Sequence, residues 1–268
     1  MVGDVMKYET LKFELAGAVA TITLHRPDVA NAFNQQLADE LLDAAERCST
    51  NSEIRSVILN GEGRMFCAGG DVSFFAEAGD AMGSHLQALT ASLHAAIQRF
   101  QRMNAPLIIA VNGVAAGAGM SFVLTGDIVF AAESAKFTMA YTKIGLSPDC
   151  SGTFFLPRLV GLMKAKQLML RNPLLTAAEA QELCIVTEVV ADNELMQAAR
   201  SCAEELAAGP TQAYGQVKRL LIDSFTNSLE AQMEKETAAI SGLAGGTTDA
   251  HNGIAAFIAK QAPSFEGR

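Results

Sequence analysis

The sequence predicts an α/β fold, with a strand-and-helix core over residues 1–202 and a helical oligomerisation region over residues 203–268. Three observations predict it. Short apolar runs, closed by glycine or asparagine, alternate with amphipathic stretches of period 3.6 as far as about residue 200. Two apolar runs lead directly into turns rich in glycine and alanine, "GEGRMFCAGGDVS" and "GVAAGAGMSFVL". From Gly161 onward the pattern is predominantly helical, with no Pro/Ser-rich linker and no low-complexity tract to separate a second unit.

Taken in order, "TLKFELAGAVATITLH" alternates apolar and polar residues around Ala16-Gly17 and predicts a β-hairpin. "QQLADELLDAAERCS" carries a helical stripe, with Asn34 placed to cap it. "RSVILNG" is a short buried strand that enters the first glycine-rich loop. A long helix runs through "HLQALTASLHAAIQRFQRM", and "APLIIAVNG" is a strand entering the second such turn. "GDIVFAAESAKFTMA" supplies two more strands. Helices are predicted over "LMKAKQLMLR", "TAAEAQELC", "NELMQAARSCAEELAAG", "TQAYGQVKRLLIDSF" and "SLEAQMEKETAAISGLA", with "VTEVVA" as the only late strand.

The bulk numbers narrow the function. At 268 residues, 50% hydrophobic and 18% charged, the chain can bury one large core. No apolar run approaches the roughly 20 residues that span a bilayer. The start "MVGDVMKYET" has neither the basic residues nor the apolar run of a signal peptide, so a cytoplasmic protein is expected. A net charge of −9 disfavours nucleic acid, whose binding needs a basic surface. Cys48, Cys67, Cys150, Cys184 and Cys202 form no C-x-x-C pair and read as reduced thiols. The four histidines are far apart in sequence, so no metal site is expected.

Small residues at the two turns let a ligand approach the main chain and leave N–H groups exposed at a helix start. Two such groups converging on one point make an oxyanion hole. "GAGMSF" fails the dinucleotide fingerprint at its third glycine, and no G-x-S-x-G surrounds Ser121. "GLSPDCSG" places one carboxylate, Asp149, in an apolar and small-residue setting. It either caps the turn that follows or does chemistry, and a carboxylate in an apolar pocket is suited to moving a carbon-bound proton.

Several ordered motifs carry a resemblance: "HRPDVANAFN", "GRMFCAGGDV", "AVNGVAAGAGMSFVLTGDIVFAAESAKF", "KIGLSPDCSGTFFLPRLVG" and "GIAAFIAKQAPSF". Together they make the chain similar to the crotonase (enoyl-CoA hydratase/isomerase) superfamily. The resemblance implies a spiral of ββα turns with a C-terminal helical trimerisation region, assembled as a trimer or dimer of trimers. It implies an acyl-CoA thioester as substrate and an enolate-like anion as intermediate. No cofactor is implied, since coenzyme A arrives with the substrate.

Carried over by position, the two oxyanion donors fall on the backbone N–H groups of Ala68 and Ala118. Val29, Ala30 and Ala32, with Gly69, Gly70, Asp71 and Val72, resemble the walls around the CoA adenine and pantetheine, and Gly117 and Leu146 join them. The Asp71 carboxylate itself reads as a turn or helix cap, and Asp127 as a structural strand-edge group. Phe257 and Lys260 match positions that cover the CoA of a neighbouring subunit. Ser121 and Tyr141 stand where hydratases of the family carry two glutamates, and neither is a carboxylate base near neutral pH. Tyr141 is expected to lay its ring against the acyl group, with Ser121 close by.

Asp149 matches an aspartate of dienoyl-CoA isomerases, 4-chlorobenzoyl-CoA dehalogenases and the ring-epoxide isomerases of the phenylacetate pathway, and its motif looks most like the last. His94 matches a dehalogenase histidine and is a candidate pocket residue, but the chain has no tryptophan to complete that pattern. The expectation is an isomerase that shifts a double bond or opens a ring epoxide, with Asp149 as acid and base. Its rivals are hydration by a non-standard route, dehalogenase-type substitution, and acyl-CoA binding without catalysis.

Overall fold

The computed structural model describes residues 8–268. The N-terminal reading above rests largely on residues 1–7, which lie outside the described residues.

The hairpin forms as its alternation requires: β1 (Leu11–Ala16) pairs antiparallel with β2 (Val19–Leu24), and Gly17 takes the left-handed φ of 60° in the turn. Helix α1 (Gln35–Thr50) starts at Asn34, whose side chain accepts the Leu37 N–H. Then come β3 (Ser56–Gly61), β4 (Met65–Cys67), α2 (Val72–Glu77) and the long α3 (Met82–Arg102). The pattern repeats as β5 (Leu107–Val111), β6 (Val114–Ala116) and α4 (Ala118–Val123). It repeats again as β7 (Ile128–Ala132), β8 (Lys136–Thr138) and α5 (Gly152–Val160).

Each repeat sends its first strand to one sheet and its second to another. One sheet has the order β1-β2-β3-β5-β7-β10, parallel from β2 onward; the other has the order β4-β6-β8-β9. This is the ββα spiral. Its core is built on fully buried Phe33, Phe66, Phe100, Phe122 and Phe137. Asn31 fastens the turn before α1 to β4: its buried amide donates to the carbonyls of Glu62, Met65 and Phe66 at 2.9, 2.9 and 3.1 Å.

The rest of the chain is α6 (Leu162–Arg171), β9 (Leu175–Thr176), α7 (Ala177–Glu182), β10 (Glu188–Val190), α8 (Leu195–Ala207), α9 (Thr211–Ser224), α10 (Leu229–Gly246) and α11 (Thr248–Ala259). Four details differ from the sequence reading. The first glycine-rich loop contains β4, whose three residues are too few to show alternation. VTEVVA is not the only late strand, because β9 pairs with β8 through two residues. Helix α11, capped by Thr247, adds a helix to those read from the stripes. The expected 202/203 boundary falls inside α8, where Ala203 is fully buried and its carbonyl accepts the Ser56 hydroxyl at 2.8 Å.

Arg55 ties the C-terminal helices back to the core, donating to the Gly209 carbonyl at 2.6 Å and to that of Phe265 at 3.1 Å. Among the described residues no helix is long and apolar enough to cross a membrane.

Candidate active site

The turn after β4 and the start of α4 meet because Gly69 has no side chain. Its φ is 101°, and a Cβ there would stand 2.9 Å from the Ala116 carbonyl oxygen and 3.2 Å from the Ala118 nitrogen. That close approach sets two backbone N–H groups beside one another. The Gly117 N–H is bonded to the Thr138 carbonyl at 3.0 Å, whereas Ala118, first in α4, keeps its own N–H free of protein acceptors.

The partner donor is not the one the resemblance indicated. The Ala68 N–H is already bonded to the Ala30 carbonyl at 3.0 Å. Phe33 bridges the same segment in parallel, donating to the Gly69 carbonyl at 2.7 Å and accepting the Asp71 N–H at 2.9 Å. A bridge of that form turns the intervening Gly70 the other way, and its N–H has no protein acceptor among the described residues. Gly70 therefore replaces Ala68 as the free donor opposite Ala118. The kink at Gly69 decides it, and three neighbouring small residues in a sequence do not show which way that kink turns.

Beside these groups lies a cavity of about 420 Å³. Leu86, Leu89 and Leu93 of α3 form one wall, and Val72, Phe75, Ile144 and Leu146 close it. Gly70, Gly117, Ala118, Tyr141 and Asp149 also line it, and among the described residues Asp149 is the only carboxylate to do so. The leucines of α3 were legible as a helix face, but a stripe does not tell a core from a cavity wall.

Asp149 is half-buried in a loop where Ala140, Cys150 and Ser151 all take left-handed φ, of 53°, 50° and 64°. Its side chain does not cap α5; its backbone carbonyl accepts the Gly152 N–H at 2.9 Å. The carboxylate instead accepts the Tyr141 hydroxyl at 2.6 Å, and the Ser121 hydroxyl lies 3.0 Å from the same phenol oxygen. Because the Tyr141 proton goes to Asp149, the Ser121 hydroxyl donates to Tyr141. Burial, reinforced by the Asp149 charge, pushes the Tyr141 phenol far above its ordinary range, so it stays a donor.

Ser121 is fully buried and off the cavity wall, which corrects its expected place on the substrate. His94 is off the wall too: its Nε2 accepts the Cys150 N–H at 3.2 Å. Potential ligand atoms of His94, Asp149 and Cys150 lie within 4.8 Å of one another, a cluster hidden in the sequence by the distance from 94 to 149. Burial and then the Asp149 charge hold the Cys150 thiol well above its ordinary value, and Nε2 is taken, so the trio is not a ready set of metal donors.

Asp71 caps α2 through the Phe74 N–H at 3.3 Å and pairs with Arg26 at 3.0 Å, so its carboxylate is spent on structure. Val29, Ala30 and Ala32 lie in the turn against β4, outside the cavity wall, with Val29 exposed. Phe257 and Lys260 are exposed at the end of α11, also off that wall within one chain.

With the geometry in place, the sequence profile of the enoyl-CoA hydratase/isomerase family matches residues 14–268. The chain belongs to that family. Within this crotonase superfamily it is 39% identical over 255 residues to the 1,2-epoxyphenylacetyl-CoA isomerase of Escherichia coli (strain K12), covering 93% of this chain and 95% of that one. It is 38% identical over 264 residues to a Rhodobacter capsulatus protein named probable enoyl-CoA hydratase, covering 98% and 100%. The crystal structure of an enoyl-CoA hydratase from Polaromonas sp. JS666 superposes with a TM-score of 0.90 at 30% identity, covering 96% of this chain and 99% of that one. The relatives' names divide between isomerase and hydratase.

Proposed function

We propose that this crotonase is an acyl-CoA isomerase in which Asp149 takes a proton from one carbon of the acyl group and returns it to another. The observation that carries this is the wall of the acyl cavity, where Asp149 is the only carboxylate among the described residues. The two positions that would hold a hydratase's water-activating glutamates are instead bonded to each other through Ser121 and Tyr141. The Gly70 and Ala118 N–H groups would hold the thioester oxygen as the C–H bond breaks and charge moves onto it. One carboxylate then serves as base and acid in turn.

The same enolate serves a double-bond shift or the opening of an allylic ring epoxide, and the isomerase relative supports the second. The mechanism uses no metal or redox cofactor; coenzyme A comes with the substrate, and the cytoplasm is the expected compartment. Incubation with a 3-enoyl-CoA should give conjugated thioester absorbance. Hydration of crotonyl-CoA should run at least ~10²-fold slower, the scale of losing a general base. Comparable rates for the two would overturn the isomerase reading, and binding without any turnover would point to a non-catalytic acyl-CoA binder.

We further expect a homo-oligomer of threefold symmetry. Leu221, Phe225, Leu229, Met233, Ile240 and Phe257 on α9–α11 are each 55–85% exposed, a large apolar surface for a lone subunit. Light scattering should give three or six times the chain mass. A stable monomer at micromolar concentration would remove the neighbour that Phe257 and Lys260 are expected to serve.

A further inference from the structure

We propose that Ser121 and Tyr141 form a buried hydroxyl relay that positions Asp149, with Tyr141 the positioning residue. This rests on the isomerase reading for its rate measurements, but not for its spectroscopic one.

The direction of the relay follows from the atoms. A carboxylate only accepts, so the 2.6 Å contact is a donation by the Tyr141 hydroxyl. The 3.0 Å contact then runs from the Ser121 hydroxyl to the phenol oxygen, which strengthens the phenol as a donor. Ser121 has its place because Gly152 leaves room: a Cβ there would stand 2.5 Å from the serine oxygen. Both hydroxyls are largely shut off from water, so neither is easily replaced by solvent.

Among the described residues no other hydroxyl or N–H donor bonds the carboxylate, and the Cys150 thiol beside it is a weak donor. Among the described residues Asp149 is in no salt bridge. The groups facing it are Tyr141 on its own loop, the adjoining Cys150 thiol, and His94 on α3, whose Nε2 is committed to the Cys150 amide. Lys143 shares the cavity wall but makes no ion pair with Asp149. A phenylalanine at 141 would keep the wall and lose the donor. The carboxylate would then be free to swing within a loop that gives it no other strong anchor.

For Tyr141→Phe we expect kcat to fall about 10–100-fold, the scale of one hydrogen bond to a charged group, with KM nearly unchanged. Ser121→Ala, which keeps the ring in place, should lower kcat in the same way by a smaller amount.

In the unliganded protein Asp149→Asn should change the tyrosine absorbance relative to wild type, and the change should vanish when both are compared in the Tyr141→Phe background. Tyr141→Phe with a wild-type kcat would overturn the relay, whatever its melting temperature. So would an Asp149→Asn difference band that survives in the Tyr141→Phe background. If Tyr141→Phe does not fold, Ser121→Ala with a wild-type kcat and no tyrosine difference band overturns it instead. A relay absent from the spectra beside an isomerase abolished by Asp149→Asn would sink this inference alone. A relay present in the spectra without isomerase activity would sink only the assigned reaction.

Discussion

Asp149→Asn is expected to lower isomerase turnover by ~10²–10⁴, the range for losing a general acid–base group. Fold and binding should survive. The amide oxygen of asparagine can still accept the Tyr141 hydroxyl, and the turn into α5 is held by the Asp149 backbone carbonyl rather than by its side chain. The free Gly70 and Ala118 N–H groups are untouched. The check is a set of three measurements on one variant: kcat, acyl-CoA affinity and melting temperature. A variant that melts like the wild type and retains more than half its rate would rule Asp149 out as the catalytic group. A variant that loses stability but not turnover would make it a structural residue.

Lys218→Met should give the largest loss of stability, ~3–5 kcal/mol, as expected when one partner of a buried ion pair is removed. The ammonium on α9 contacts Asp127 at 2.7 Å and donates to the carbonyls of Phe100 and Ala105 at 2.9 and 3.0 Å. It thereby fastens the C-terminal helices to α3 and the approach to β5. Burial opposes both charges, raising the Asp127 carboxyl above its usual value and lowering the Lys218 ammonium, so each depends on the other. In the double variant Lys218→Met/Asp127→Asn the stranded charge is gone and part of the loss should return. Urea midpoints measure both. A single-variant change below about 0.5 kcal/mol, typical of a surface site, would show that water screens the pair.

The contrast between these residues explains what a one-dimensional reading could reach. Asn34 and the Gly17 turn were legible because caps and hairpins are decided within a few residues. Asp149 was legible because a carboxylate among small apolar residues has few uses. Lys218 was not, since its partners lie across the fold from α9. Nor was the exchange of Ala68 for Gly70, which depends on a bond to Ala30 and a bridge to Phe33. The Ser121–Tyr141–Asp149 chain occupies three separate segments, so only the folded backbone brings its hydroxyls into line. For the same reason His94 and Cys150 met without any warning in their spacing.

The contact that Gly69 permits between two turns has a consequence for how such a molecule can diversify. The amides it brings together belong to the main chain, and no exchange of a non-proline side chain at 70 or 118 deletes them. Drift in the gene therefore acts on the neighbours of the proposed anion-holding point, at positions such as 121, 141 and 149, while the point itself persists as long as the chain folds. A lineage built this way can acquire a new reaction by swapping a few side chains without rebuilding its means of stabilising charge.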